Sequence, residues 1–334
     1  MYNYFTLSNG LQVIHRRTPG AAAGYFGVTV RAGSRDEQEG SFGLAHFVEH
    51  TLFKGTGRRS AWHILNRMEA VGGELNAFTS KEETTVYTAF PAARLDRAVE
   101  LVADLLLNSR FPAPELQRER EVVADEIDSY LDQPAEAVFD DFDDLLFAGS
   151  SLGHNILGTT ADLERFGSEE CRSWLERWYT ADNMVAFYSG PAGADRVHTC
   201  LERHLSALPA GANPHDMPQL CINPPFDTSR SVGSHQSHTV IGCRIGGLYS
   251  PDRFAMSLLA NILGGPGMNS LLNVQLRERR GLVYTVEAST ALYTDCGVMS
   301  IYYGCDHHDE QRCRRLVQQQ LEAVAAGETI NERK

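Results

Sequence analysis

Three side chains on one short stretch could do chemistry together. In Gly43-Leu44-Ala45-His46-Phe47-Val48-Glu49-His50, the residues His46, Glu49 and His50 stand at i, i+3 and i+4, so a helix would put them on one face. Two imidazoles one turn apart can hold a single zinc ion through ring nitrogens. Glu49 would then sit beside the ion rather than on it, where it could take a proton from an attacking water and pass it to a leaving amine. Two histidines alone on an amphipathic helix are more often core or surface residues. The glutamate between them is what points to metal-assisted hydrolysis.

Zinc needs a third protein ligand and an open position for water. The acidic run that follows, Glu115, Glu119, Glu121, Asp125, Glu126 and Asp128, supplies the candidates. Helical spacing places Val122, Val123 and Ile127 inside. Glu119 and Glu126 are seven apart and flank that apolar face on one stripe, where a carboxylate is costly unless it is paired or bound to metal. Glu121 and Asp128 read as solvated charges. Spacing alone leaves Glu126 a candidate for the third ligand and no more.

These residues need elements to position them. A hairpin opens the chain, with strands over 4–7 and 11–16 joined at Asn9-Gly10, and a third strand covers 25–31. Helices are expected over 42–53 and 61–71, the second capped by Ser60 and stopped by Gly72-Gly73. Strands over 74–79 and 84–90 precede a long helical region, 92–146, broken at Pro112 and Pro114. Two short helices, a strand over 184–188 and a helix over 196–205 complete the first half.

Residues 207–230 hold Pro209, Pro214, Pro218, Pro224 and Pro225 and read as a linker. After it the order starts over: a strand over 238–245, helices over 252–263 and 271–279, and a strand over 283–289. A diverged duplication accounts for this. The expected domains are therefore 1–206, carrying the candidate metal site, and 231–334, a second repeat without H-x-x-E-H. Strands followed by separate runs of helices give an α+β class with antiparallel-rich sheets.

Bulk properties exclude several functions. The 334 residues carry a formal net charge of −13, which disfavours nucleic acid as a partner. No apolar run approaches the roughly 20 residues of a membrane span, and no basic-plus-apolar leader is evident, so a cytoplasmic protein is expected. The seven cysteines (Cys171, Cys200, Cys221, Cys243, Cys296, Cys305 and Cys313) form no C-x-x-C pair, which argues against a disulfide framework and a cysteine zinc site. His63, His154, His235, His238, His307 and His308 have no ligand-like partners in sequence and read as non-catalytic.

Taken together, the motifs resemble those of the pitrilysin/insulinase-type zinc peptidases, particularly the short forms related to the mitochondrial processing peptidase. H-x-x-E-H is the inverzincin order. The resemblance implies that Glu126, in Val122-Val123-Ala124-Asp125-Glu126-Ile127, is the third zinc ligand, and that Glu119 supports the site without binding the metal. It aligns Gly72-Gly73-Glu74-Leu75-Asn76-Ala77-Phe78-Thr79 with the family's edge strand, which pairs with an extended peptide substrate, Asn76 and Ala77 lying against its backbone. It likewise aligns Arg277-Glu278-Arg279-Arg280-Gly281-Leu282-Val283-Tyr284 with a segment whose Arg and Tyr hold the substrate and its developing oxyanion, here Arg277 and Tyr284.

In larger members one chain holds four such domains as two facing halves, and the Arg–Tyr pair of the fourth reaches the zinc of the first. Two domains per chain thus imply a site shared by two chains, a homodimer or a heterodimer with a metal-free paralogue. The chain stops after Glu328-Thr329-Ile330-Asn331-Glu332-Arg333-Lys334, where the family continues, so the second domain is expected to be incomplete. The resulting expectation is a zinc endopeptidase acting on extended or unfolded peptides. The other reading is a peptide-binding or assembly subunit of the same fold without turnover.

Overall fold

Alternating apolar residues in the first half of the chain pair into a twisted sheet that buries one face under helices. In the computed structural model, residues 2–211, 220, 221 and 223–328 are described. The chain divides into two units: Met1–Ser129 with Gly149–Cys221, and Tyr130–Ala148 with Ile222–Lys334. The expected domains were consecutive in sequence; in this partition a helix from the first half of the chain joins the second unit. Of the expected linker 207–230, residues 212–219 and 222 lie outside the described residues, as do 329–334 of the terminal segment.

The first unit begins with β1 (Tyr2–Thr6), β2 (Gln12–Arg17) and β3 (Ala23–Val30), then α1 (Leu44–Leu52) and α2 (Ala61–Glu69). Next come β4 (Glu74–Thr79), β5 (Thr84–Pro91), α3 (Leu95–Asn108) and α4 (Ala113–Leu131). After α5 (Pro134–Leu146), which belongs to the second unit, the first continues with α6 (Thr160–Leu163), α7 (Ser168–Trp178), β6 (Met184–Gly190) and α8 (Ala194–Leu205). The sheet order is β1-β2-β6-β3-β5-β4, with β2 and β6 parallel and every other pair antiparallel. Among the described residues, that order leaves β4 with one unpaired edge.

Phe26, Val28 and Val30 of β3 and Val86 and Phe90 of β5 are buried against Leu101, Val102 and Leu105 of α3, with Phe47 and Val48 of α1 in the same core. Each such side chain contributes about 1.5–3 kcal/mol by leaving water. Burying Phe47 and Val48 fixes the rotation of α1, so the opposite side of that helix carries His46, Glu49 and His50 away from the sheet core.

The second unit contains α5, β7 (Ser237–Ile245), α9 (Arg253–Gly264), a π-helical stretch Asn273–Glu278, β8 (Val283–Leu292), β9 (Gly297–Cys305) and α10 (Glu310–Ala325). Its sheet order, β7-β9-β8, reproduces β3-β5-β4 of the first unit: two strands around a third that follows both in sequence, all antiparallel. The duplication read from sequence is thus present in the strand order.

Several expectations are corrected. Ser60 does stand before α2, but its hydroxyl bonds His63 Nδ1 at 2.8 Å instead of capping the helix backbone. The long helical region breaks a second time, between Leu131 and Pro134, because Pro134 cannot continue a helix but can start one. Val122 is 51% exposed; the buried stripe of α4 is Leu116, Glu119, Val123 and Ile127, one residue round from the expected face. The helix expected over 271–279 widens into π geometry, with Arg279 N–H donating to Val274 O five residues back. Strand β9 has no alternation to read, being buried on both faces as the centre of its sheet.

Candidate metal centre

α1 is aimed by its own N-terminus. Gly43 takes φ +95°, and a Cβ there would stand 2.5 Å from the Leu157 carbonyl oxygen, so only glycine lets the chain enter the helix at this place. The orphan N–H groups of that first turn are met by a buried carboxylate: Gly43 N–H donates to Glu37 Oε2 at 2.9 Å and Ala45 N–H to Glu37 Oε1 at 2.8 Å. His154 Nε2 meets the same Oε2 at 3.1 Å, and its ring stacks on Phe42 with centroids 4.0 Å apart. Burial pushes the Glu37 carboxyl above its usual range, against these bonds.

On the side of α1 turned away from the sheet core, buried His46 and half-buried His50 meet edge to face, ring centroids 4.5 Å apart. α4 crosses nearby and brings Glu126 Oε2 to 3.5 Å from His50 Nε2 and 3.9 Å from His46 Nε2. Ligand atoms of these three residues all lie within 4.8 Å of one another. Tetrahedral zinc with bonds of about 2.0–2.1 Å needs donor separations of about 3.3 Å, so small side-chain shifts suffice for the donor set to fit the ion. Glu126 is exposed, which leaves the set open to solvent on one side.

His50 is held from behind. Its Nδ1 lies 3.0 Å from Glu119 Oε1, and Lys54 Nζ lies 2.5 Å from Glu119 Oε2. With Nδ1–H donated to the carboxylate, Nε2 keeps its lone pair toward Glu126, the carboxylate–histidine arrangement that orients metal ligands. Burial raises the Glu119 carboxyl, but the hydrogen bonds from His50 and Lys54 outweigh it and hold the group below its usual range. Burial lowers the His50 imidazolium, yet the Glu119 hydrogen bond and the charges of Glu126 and Glu49 raise it above its ordinary value. His46 has no such support: its Nδ1 is buried without a hydrogen-bond partner among the described residues, and burial with the neighbouring His50 charge lowers it to about 4.

Glu49 lies on the same face. Thr79, at the end of β4, donates its hydroxyl to Glu49 Oε2 at 2.7 Å. Burial pushes the Glu49 carboxyl up, helped by the Glu126 charge and opposed by Thr79 and His50. The buried Tyr179 lies within the reach of the Glu49 charge, and burial with that charge holds its phenol well above its usual range.

The β4 edge carries Asn76 and Ala77. The Ala77 N–H donates to the Asn76 side-chain oxygen at 2.9 Å, so Asn76 covers a donor of its own strand. Arg277 and Tyr284 come together in the second unit, the guanidinium carbon 5.5 Å from the Tyr284 ring centre. Tyr284 is 81% exposed and sits where β8 slips register against β9, a bulge that turns its side chain outward.

Sequence reading missed Glu37, Lys54 and Tyr179, and it gave no role to Thr79 although the strand containing it was singled out. Thr79 could have been found: it closes the Gly-Gly…Asn-Ala-x-Thr strand, which packs beside α1. No periodicity links Glu37 or Lys54 to their partners.

Comparison with known proteins places this geometry in context. The profile of insulinase (peptidase family M16) matches residues 12–160, and that of the peptidase M16 inactive domain matches residues 165–333. A protein named as an uncharacterized zinc protease in Mycobacterium tuberculosis strain H37Rv is 36% identical over 331 residues, which cover 96% of this chain and 74% of the relative. The mitochondrial-processing peptidase subunit beta of Lentinula edodes is 34% identical over 310 residues, covering 89% of this chain and 66% of the relative. Among solved structures, a protease from Helicobacter pylori superposes with a TM-score of 0.91 at 22% identity, covering 99% of this chain and 81% of that one, which shows the shared fold.

Proposed function

This chain belongs to the insulinase family of zinc peptidases (family M16), and from that membership we propose that it is a zinc endopeptidase for extended or unfolded peptides. The observation that carries the reading is the convergence of His46, His50 and Glu126 within 4.8 Å, with Glu49 on the same helix face. Those three residues are assigned to hold the ion. A zinc ion held there would supply Lewis acidity and lower the pKa of a bound water to about 7.

The remaining roles belong to the chain itself. Glu49 takes the proton of the attacking water and returns it to the leaving amine; a carboxyl raised by burial suits that exchange near neutral pH. Thr79 orients it through Oε2. Glu119 fixes the His50 tautomer, and Lys54 balances its charge. The free edge of β4 takes the substrate as an added strand, with Asn76 and Ala77 against its backbone. Arg277 and Tyr284, a cation and a phenol, are assigned to the developing oxyanion.

We assign the first repeat to catalysis and the second to a metal-free role, the complete site needing two chains as a homodimer or with a metal-free paralogue. A relative named as a processing-peptidase subunit supports that arrangement. No helix among the described residues is long and apolar enough to cross a membrane. A cytoplasmic location is the reading that seven free cysteines support. The test is hydrolysis of an unstructured fluorogenic peptide by the zinc-loaded chain. Activity should vanish with a chelator and return with zinc; a zinc-loaded, assembled chain that cleaves nothing would favour the non-catalytic subunit instead.

A further inference from the structure

A second set of ligand-type atoms converges where α3 meets α8. Cys200 and His204 stand four residues apart on α8, the same one-turn spacing that brings His46 and His50 together on α1. Asp96, in the first turn of α3, reaches both of them. Its Oδ1 lies 3.8 Å from Cys200 Sγ and 3.1 Å from His204 Nε2, and the three ligand atoms all fall within 4.8 Å of one another. Zinc bonds of about 2.3 Å to sulfur and about 2.0 Å to nitrogen or oxygen require tetrahedral separations of about 3.3–3.5 Å. The two measured separations bracket that range. Cys200 is buried, His204 partly buried and Asp96 exposed, so the set is closed on the thiol side and open to solvent on the carboxylate side.

We propose that Asp96, Cys200 and His204 form a second binding site, for a divalent transition-metal ion of the zinc class. One thiolate and one imidazole select such an ion over magnesium or calcium, which prefer all-oxygen sites. Binding forms bonds from Sγ, Nε2 and Oδ1 to the ion and releases one proton, from Cys200 Sγ, to solvent; no electron is transferred. In the metal-free chain, burial and the Asp96 charge push the Cys200 thiol up to about 12. A bound cation supplies the positive charge that the thiolate lacks there. Arg203 is the competitor: its Nη1 lies 2.9 Å from the same Asp96 Oδ1, on a largely exposed side chain that can swing away. The ion would tie α8 to α3 with bonds that hydrogen bonding alone does not provide. None of its ligands belongs to the His46–His50–Glu126 set, so the proposal stands apart from the peptidase reading.

Cobalt(II) titration of the full chain separates the two sites, because the first set contains no sulfur. The wild-type chain should take up two cobalt ions and develop a near-ultraviolet thiolate-to-cobalt charge-transfer band. Cys200→Ser should bind one ion and lose the band, and His204→Ala should lose it too. Arg203→Ala, which removes the competing cation, should bind the second ion more tightly, a gain that misfolding cannot produce. The band should persist in Glu126→Gln. A wild-type chain without the band, or a band of full strength in Cys200→Ser, would overturn the proposal.

Discussion

Glu49 and Glu119 are carboxylates beside the same histidine, and their surroundings push them in opposite directions. Burial raises Glu49, while hydrogen bonds from His50 and Lys54 lower Glu119. One suits proton transfer and the other permanent charge. Glu49→Gln should therefore keep its metal and lose hydrolysis by about 100- to 10,000-fold, the usual worth of a general base; loss of zinc from a folded variant would make Glu49 a ligand. Glu119→Gln should weaken zinc binding by about 10- to 100-fold, measured against a competing chelator. The pH dependence follows from the two histidines. His46, lowered to about 4, is already neutral at working pH, whereas His50 is held above its ordinary value. A raised imidazole keeps its proton to higher pH, so zinc should be displaced as pH falls through the His50 titration, not that of His46. At this scale the sequence was most legible where residues share a helix: His46, Glu49 and His50 announce themselves by spacing. Lys54 and Glu119 meet across 65 positions of chain, and only folding reveals that.

At the scale of elements, α1 is positioned less by its own propensity than by Glu37, a residue outside it. Glu37 satisfies two N–H groups of the first turn and bonds His154, all within the protein interior. Glu37→Ala leaves those buried donors unmet, at about 1–3 kcal/mol each. It should lower stability by at least about 2 kcal/mol in denaturant unfolding and weaken zinc binding with it. Unchanged stability would show that water replaces the carboxylate without cost. Elements with one wet face were legible: β4 alternates along its length, and its bounds, Glu74–Thr79, match the expected span. Elements buried on both sides, such as β9, carry no alternation and were missed. On α4 the buried Glu119 takes an inner position that apolar patterning had given to Val122. The π turn was invisible because one inserted residue per turn leaves composition unchanged.

At the scale of the whole molecule, β3-β5-β4 recurs as β7-β9-β8, and only the first copy carries H-x-x-E-H. The proposed two-chain site predicts complementation. Glu49→Gln and Tyr284→Phe chains, each nearly inactive alone, should recover peptide cleavage when mixed, since a mixed dimer pairs an intact zinc centre with an intact Tyr284. No recovery despite proven subunit exchange would put Tyr284 in the same chain's site or outside catalysis. All of this depends on the ion assigned to α1 and α4. The most direct measurement is zinc content of Cys200→Ser, which isolates that centre, with and without Glu126→Gln. Two imidazoles and one carboxylate should hold about one zinc per chain, and the added Glu126→Gln should lose most of it. Full zinc occupancy in the double variant would show that Glu126 is not the third ligand.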